Sequence, residues 1–425
     1  MRPAPTEKPR RGRRPAPSVA AAGRSAAGWM ALALAALCGA VTSDAARAQS
    51  HPPQSRCPDQ VSIDNLRTAY HSAPAPFRKE LQRVDALLAM TPPSVMDKTQ
   101  TPASGDKHDF LSMGPYWWPD PSRPDGLPYI RKDGRRNPEY LAIPDQASFE
   151  TMRRAVEGLS LAYAVTRDGR YASKATEFLR VWFLDEATRM NPNMNHAQII
   201  PGISTGRGIG IIETRRISTI LDALCLLAPS SEWTAGDAVG MTRWLESYFD
   251  WLTTHPQGID ESNEKNNHGT WYDVQVVSLA LYLGNVDRAR DVLERAKLKR
   301  FTAHIDAQGR QPLELARTNA WSYSLMNLTG LFQLALLGER AGVDLWTYHD
   351  ADRGSMKKAL DYLLPFAGDR STWPYQQIGG WDNDPLYRLL LVARKKYDAR
   401  EYAGWMNTLF PGRAPTPIDE RLTLY

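Results

Sequence analysis

From residue 148 to 397 one pattern recurs: apolar residues fall near i, i+3, i+4 and i+7 in segment after segment, separated by short Gly, Pro, Asn or Asp turns. SFETMRRAVEGLSLAYAVT, YASKATEFLRVWFL, ETRRISTILDALCLLA, DAVGMTRWLESYFDWLTT, TWYDVQVVSLALYLG, DRARDVLERAKLKRF, WSYSLMNLTGLFQLALLGERA, MKKALDYLLPFA and DPLYRLLLVARKKY all carry it. No comparable series of alternating strands is present. Several segments are apolar around most of their circumference, as helices packed on two sides are. Short connections favour antiparallel neighbours. With no fixed-period repeat to build an open scaffold, the expected fold is all-α: an (α/α) toroid, an incomplete barrel of helical hairpins with long aromatic-rich loops.

The first 48 residues differ. KPRRGRR precedes the apolar run WMALALAALCGAV, and Ala46-Arg47-Ala48 fits a small-x-small cleavage site. Residues 1–48 therefore read as a secretory signal peptide cut after Ala48, directing the chain to the periplasm or the exterior. The apolar run is short for a membrane span. Residues 49–100 read as a linker with leading helices, 101–410 as the toroid and 411–425 as a tail. The leader carries eight Lys or Arg against two acids, so the formal charge of +5 leaves the remainder at −1. A remainder with no basic surplus argues against nucleic acid as a partner. An anionic ligand then needs a local cluster of donors.

Two cysteines follow the leader, Cys57 and Cys225. Export permits a disulfide between them, while the apolar setting LDALCLLA equally suits a buried thiol, so the pairing stays open. There is no Cys-x-x-Cys and no His-Glu-x-x-His, so no metal or other cofactor is expected. GRGIG at 206–210 has misplaced glycines for a dinucleotide loop.

Three loops interrupt the helices: KHDFLSMGPYWWPDPSRPDGLPYIRKDGRRNPEY, MNPNMNHAQIIPGISTGRGIGIIE and STWPYQQIGGWDND. Aromatic faces beside Asn, Asp, Arg and Lys suit carbohydrate, whose C–H faces stack on rings while its hydroxyls need directed hydrogen bonds. Trp182, Trp244, Trp251 and Trp346 lie in helical settings and read as core. Trp117, Trp118 and Trp381 lie in polar loops, open to a groove. EKNNHGTWYDVQ gathers two Asn and a His before an apolar helix; capping accounts for one Asn but not for the other or the His. In ELARTNAWSYSLMNL, Arg317 and Tyr323 are six apart, so the helix unwinds near Arg317 or shows the two from adjacent edges, with Asn319 placed to cap.

KHDFLSMGPYWWPDP, DGLPYIRKDGRRNPE, NNHGTWYDVQ and ARTNAWSYSLMNL together resemble the alginate lyase superfamily of polysaccharide lyases, in particular its branch with bacterial glucuronan lyases. The resemblance spans roughly residues 100 to 390. It implies an α/α toroid that cleaves an anionic uronic-acid polymer by metal-independent β-elimination, with Asn267, His268, Arg317 and Tyr323 as catalytic residues and Asn195 as a further Asn of the site. Neutralising the uronate carboxylate makes the C5 proton removable, a task for Asn, His or Arg. Tyr323, its pKa lowered by Arg317, or else His268, is then the base, depending on sugar configuration. Lys107, His108, Tyr116, Trp117, Trp118, Arg131 and Trp381 are expected to line the groove, with Lys132 nearby. Two other readings stand beside this one: a glycoside hydrolase using paired carboxylates, such as Glu213 with Asp273 or Asp382 with Asp384, and a noncatalytic glycan-binding protein.

Overall fold

The computed structural model describes Cys57 and residues 60–350, 353–416 and 419. The signal-peptide reading lies outside them. The helices are α1 (Gln60–Ser72), α2 (Arg78–Asp85), α3 (Asp145–Thr166), α4 (Gly169–Leu179), α5 (Ile217–Leu227), α6 (Ala235–Thr254) and α7 (Pro256–Ser262). They continue with α8 (Asn267–Tyr282), α9 (Val286–Ala296), α10 (Pro312–Leu315), α11 (Ala320–Ala341), α12 (Met356–Gly368), α13 (Asp384–Lys396) and α14 (Ala399–Leu409). Each apolar-periodic segment became a helix. α4 and α9 both end in a wider π turn, Arg180–Leu184 and Lys297–Thr302.

The packing is that of an α/α toroid. α3 lies against α4 and α5, α5 against α8, and α8 against α9 and α11; α11 in turn packs on α12 and α13, and α13 on α14. α8 sits at the centre. Thirteen consecutive residues, Gly269 to Leu281, are buried, which is why its sequence shows no polar face. Trp182 and Trp244 are in the core, and Trp251 and Trp346 pack against it. Cys57 and Cys225 form a disulfide that ties the chain ahead of α1 to α5. Among the described residues no helix is long and apolar enough to cross a membrane.

The aromatic loops are more ordered than their Pro and Gly content suggests. Leu111–Met113 (β1) pairs in parallel with His196–Ile199 (β4), and Trp117–Trp118 (β2) pairs antiparallel with Ile130–Arg131 (β3). Loop backbone that is partly buried must find hydrogen-bond partners, and these short ladders supply them. A buried ion pair, Lys98 Nζ to Asp145 at 2.9 Å, anchors this layer to α3; Asp145 also accepts from the Leu111 amide at 2.9 Å. The glycines of GRGIG turn out to serve packing. Gly208 lies against the backbone of α7 and Gly210 against Ala197 of β4, both too close for a Cβ, so the turn Gly208–Thr214 is pressed between them.

Candidate active site

The N-terminus of α8 opens into a cleft of about 790 Å³, a size suited to a few sugar rings. Asn266 is the cap: its side chain accepts from the His268 amide at 3.0 Å. That places Asn267 and His268 in the first turn. Asn267 is fully buried, and its amide N–H (2.6 Å) and Nδ2 (2.8 Å) both donate to the buried carboxylate of Glu314, while its Oδ1 has no partner. His268 Nδ1 lies 2.8 Å from Oε1 of Glu261, itself fully buried on α7, leaving Nε2 for the cleft. Burial alone would lower the His268 pKa; the carboxylates of Glu261, Glu264 and Glu314 outweigh it and hold the ring above its ordinary value. The ring therefore holds its proton more firmly than a free imidazole.

A buried guanidinium supports this turn from behind. Arg300 donates to Asp273 (2.8 Å), to the Glu264 carbonyl (2.8 Å) and to the Ser262 carbonyl (2.7 Å). It thereby fastens the α7–α8 connection to helix α8.

Arg317 lies between α10 and α11, where the chain has unwound, so the six-residue spacing is bridged by a turn. Its Nη2 donates to the Tyr323 hydroxyl at 2.9 Å, and the guanidinium sits 3.9 Å from that ring's centroid. Tyr323 also shares a hydrogen bond of 2.7 Å with the Tyr116 hydroxyl. The expected lowering of the Tyr323 pKa does not hold. Burial is the largest influence and raises it, Tyr116 raises it further, and Arg317 offsets only part of this, so the phenol is held above its usual range and stays protonated at rest. Asn319 occupies the cap position of α11 without capping it: its Oδ1 accepts instead from the Gly379 amide at 2.7 Å.

Asp133 joins this centre to the aromatic loop. It accepts from Arg317 Nη2 (2.8 Å) and Nε (3.2 Å) and from the Thr318 hydroxyl (3.0 Å). Burial pushes its carboxyl up, yet Arg317 and Thr318 pull it down to about 2. The neighbouring Gly134, at φ +69°, leaves no room for a Cβ beside the Thr318 side chain, so only glycine lets the loop dock this closely.

Tyr116, Trp117 and Arg131 line the same cleft, as expected, Arg131 through an exposed ion pair with Asp133 at 2.8 Å. Other expected groove residues are placed elsewhere. Asn195 accepts from Trp251 Nε1 at 2.9 Å, Lys107 donates to the Met96 carbonyl at 3.1 Å, and His108 bonds the Arg189 carbonyl at 2.6 Å. Trp118 donates to the Arg135 carbonyl at 2.9 Å, with Lys132 5.1 Å from its ring, and Trp381 stacks on Trp321 at 4.2 Å. None of these five is among the residues lining the cleft. Each satisfies a loop or completes an aromatic stack, and polar loop side chains close to buried backbone are drawn to that work first.

Sequence reasoning missed Glu261, Glu314 and Asp133, whose roles depend on contacts made only in the folded chain, and also Arg136, Gln198, Arg207 and Arg215 of the cleft wall, and it offered Glu213 only as a hydrolytic partner of Asp273. For Arg207 the only signal was its place in GRGIG. Of the carboxylate pairs considered for hydrolysis, Asp273 is engaged by Arg300, while the Asp382 carboxylate accepts from the Asp384 amide at 2.9 Å.

Comparison with known proteins bears on the family and the fold. The alginate lyase family model matches residues 94–373. A solved alginate lyase from Bacteroides ovatus superposes with a TM-score of 0.82 at 40% identity, covering 88% of this chain and 100% of its own. Alginate lyase A1-III from Sphingomonas species A1 superposes at 0.55 with 16% identity, covering 85% of this chain and 93% of its own, a likeness of fold. No curated protein matches the sequence. The chain belongs to the alginate lyase family and is a polysaccharide lyase.

Proposed function

We propose that the protein cleaves a uronic-acid polymer, glucuronan or alginate of the polymannuronate kind, by β-elimination, with Asn267, His268, Arg317 and Tyr323 as its catalytic residues. The observation that carries this is a shared cleft lined both by a histidine at a helix N-terminus, paired with a buried carboxylate, and by a tyrosine held by an arginine. The His268 ring and the remaining Asn267 N–H bind the uronate carboxylate and stabilise the enediolate that forms when C5 loses its proton. Tyr323, as the phenolate, takes that proton. The C4–O bond breaks, C4 and C5 become doubly bonded, and Tyr323 returns the proton to the departing oxygen.

Tyr323 is taken as the base because its hydroxyl, held by Arg317, is able both to take a proton and to return it. One group that both takes and returns the proton suits sugars whose C5 hydrogen and C4 oxygen lie on the same ring face, as in mannuronate and glucuronate. Arg317 acts on Tyr323 more than on substrate, since its hydrogen bonds go to Asp133 and the phenol. Export is part of the same reading, supported by the leader sequence and by a disulfide, which suits an oxidising compartment. The test is to incubate the chain with glucuronan, polymannuronate and polyguluronate and follow the ultraviolet absorbance of the unsaturated uronate end. Absorbance with the first two and little with the third is expected; reducing ends without absorbance would mean hydrolysis and end the proposal.

A further inference from the structure

Behind the cleft lies a chain of buried polar side chains that the elimination leaves without a task. The Thr270 hydroxyl on α8 donates to Asn327 Oδ1 on α11 at 2.7 Å, Asn327 Nδ2 donates to Gln311 Oε1 at 2.8 Å, and Gln311 Nε2 donates to the Ser324 carbonyl at 3.0 Å. His304 stands at the other end, its Nδ1 3.2 Å from the Thr270 oxygen. Because that hydroxyl spends its hydrogen on Asn327, the imidazole is the donor of this pair. All of these residues are buried, and none lines the cleft. Burial, with help from Arg300, lowers the His304 pKa to about 3, so the ring is neutral at working pH. Each bond thus has one possible direction, which fixes both amides, and removing any member strands its neighbours away from water.

The chain joins the two halves of the active centre. Thr270 lies one turn beyond Asn267 on α8, and Asn327 one turn beyond Tyr323 on α11. Residues one turn apart share a helix face, so the bond between the helices sits just below the groups that face the cleft. Beside it, Trp271 Nε1 donates to the Met326 carbonyl at 3.1 Å. Gln311 directly precedes α10, whose Glu314 holds Asn267, and through the Ser324 carbonyl it also grips the backbone next to Tyr323.

We propose that His304, Thr270, Asn327 and Gln311 form a positioning strut that sets the separation between the Asn267–His268 turn and Tyr323, so that a sugar held by its carboxylate presents C5 to the phenol. This rests on the catalytic reading above. A uronate still reaches the α8 turn when the strut is cut, but proton transfer needs the phenol oxygen within hydrogen-bond reach of the reacting centre. A misplacement of about 1 Å costs on the order of 10²-fold in rate. Loss of the strut therefore lowers kcat and spares KM.

The experiment compares Thr270→Val, which keeps the shape without the hydroxyl, with Thr270→Ser, which keeps the hydroxyl. Both are assayed on polymannuronate and glucuronan by the absorbance of the unsaturated end, at a temperature well below the melting point that circular dichroism gives for each. Thr270→Val is expected to lower kcat about tenfold or more while KM stays within about threefold of the parent's, and Thr270→Ser to keep most of the parental kcat. Gln311→Met, at the far end of the strut, is expected to reproduce the kcat loss. The double variant Thr270→Val/Gln311→Met should fall by less than the product of the two single losses, because both cut the same connection. A folded Thr270→Val or Gln311→Met with parental kcat, a Thr270→Ser no better than Thr270→Val, or single losses that simply multiply overturns the strut. Tyr323→Phe tests the reading beneath it: full activity in that variant ends the catalytic assignment itself, whereas its loss beside an unaffected Thr270→Val removes the strut alone.

Discussion

Arg317 Nη2 lies 2.9 Å from the Tyr323 hydroxyl, and yet that phenol is held above its ordinary pKa, because burial and the Tyr116 hydroxyl outweigh the guanidinium. The arginine limits the rise without reversing it. A base of this kind is strong once ionised and scarce at neutral pH, so activity should be set by how readily the phenolate forms.

Tyr323→Phe is expected to lower kcat by roughly 10³-fold, in the range for loss of one general base and acid, while oligouronate affinity changes little. In the unsubstituted enzyme kcat at saturating substrate should climb with pH across the alkaline range, since Tyr323 acts in its deprotonated form. Tyr116→Phe removes a group that raises the Tyr323 pKa, so the climb should begin at lower pH. A pH–rate profile unmoved by Tyr116→Phe would contradict this.

Glu261→Gln keeps the shape of the buried side chain but removes the charge that leads in raising the His268 pKa. His268 should then lose its proton at lower pH. At pH 7.5 the expected result is a KM raised about tenfold, equivalent to ~1.4 kcal/mol of lost carboxylate binding, with a smaller change in kcat. Steady-state kinetics from pH 5 to 9 read both.

Asp133→Asn leaves Arg317 without its carboxylate and frees the aromatic loop from its anchor. A misplacement of about 1 Å in a catalytic group can cost on the order of 10²-fold, and kcat/KM should fall by about that much, while the far-UV spectrum stays unchanged.

Stability should fall in acid. Asp133 is held at about 2 by Arg317 and Thr318 against burial, and Glu150 is likewise held at about 2, by Arg153, Arg154 and Arg216, against burial. Both pKa values are depressed below their usual 3.8 and 4.5. Their contribution is therefore complete above about pH 5 and is lost as pH falls toward 2, on the order of 2 kcal/mol apiece. Urea unfolding between pH 6 and 2.5 measures it; Glu150→Gln should flatten the curve.

Arg300→Met strands the Asp273 carboxylate inside the protein and removes the donors to the Glu264 and Ser262 carbonyls. Loss of one partner of a buried pair costs ~3–5 kcal/mol, and thermal unfolding should show a correspondingly large fall in Tm. Because these carbonyls lie in the α7–α8 connection, activity at a temperature where the variant is still folded should fall as well.

The helices were legible because burying one stripe or the whole surface of a helix leaves a 3.6-residue signature in the chain itself, and the segment that became α8 read as a buried helix. That one Asn of the pair caps a helix, with the other Asn and His268 left over, was legible for the same local reason, a helix N-terminus having only so many donors to satisfy; the structure shows that Asn266 is the cap. Tyr116, Trp117 and Arg131 were found by composition, and by the same criterion Trp118, Trp381, Lys107 and His108 were placed in the groove, because composition does not say which loop side chain is spent on a backbone carbonyl or an aromatic stack; Asn195 came from the family resemblance alone. Nothing local marks Glu261 as the partner of His268, Asp133 as the partner of Arg317, or Glu213 as an acid shielded from water. The sequence by itself determined the helical array and the residue types offered to the cleft. Only the tertiary structure decided which carboxylate faces which cation and how dry each pair is, and since pKa values follow charge separation and burial, it alone decided that Tyr323 and His268 both hold their protons more firmly than the free side chains do.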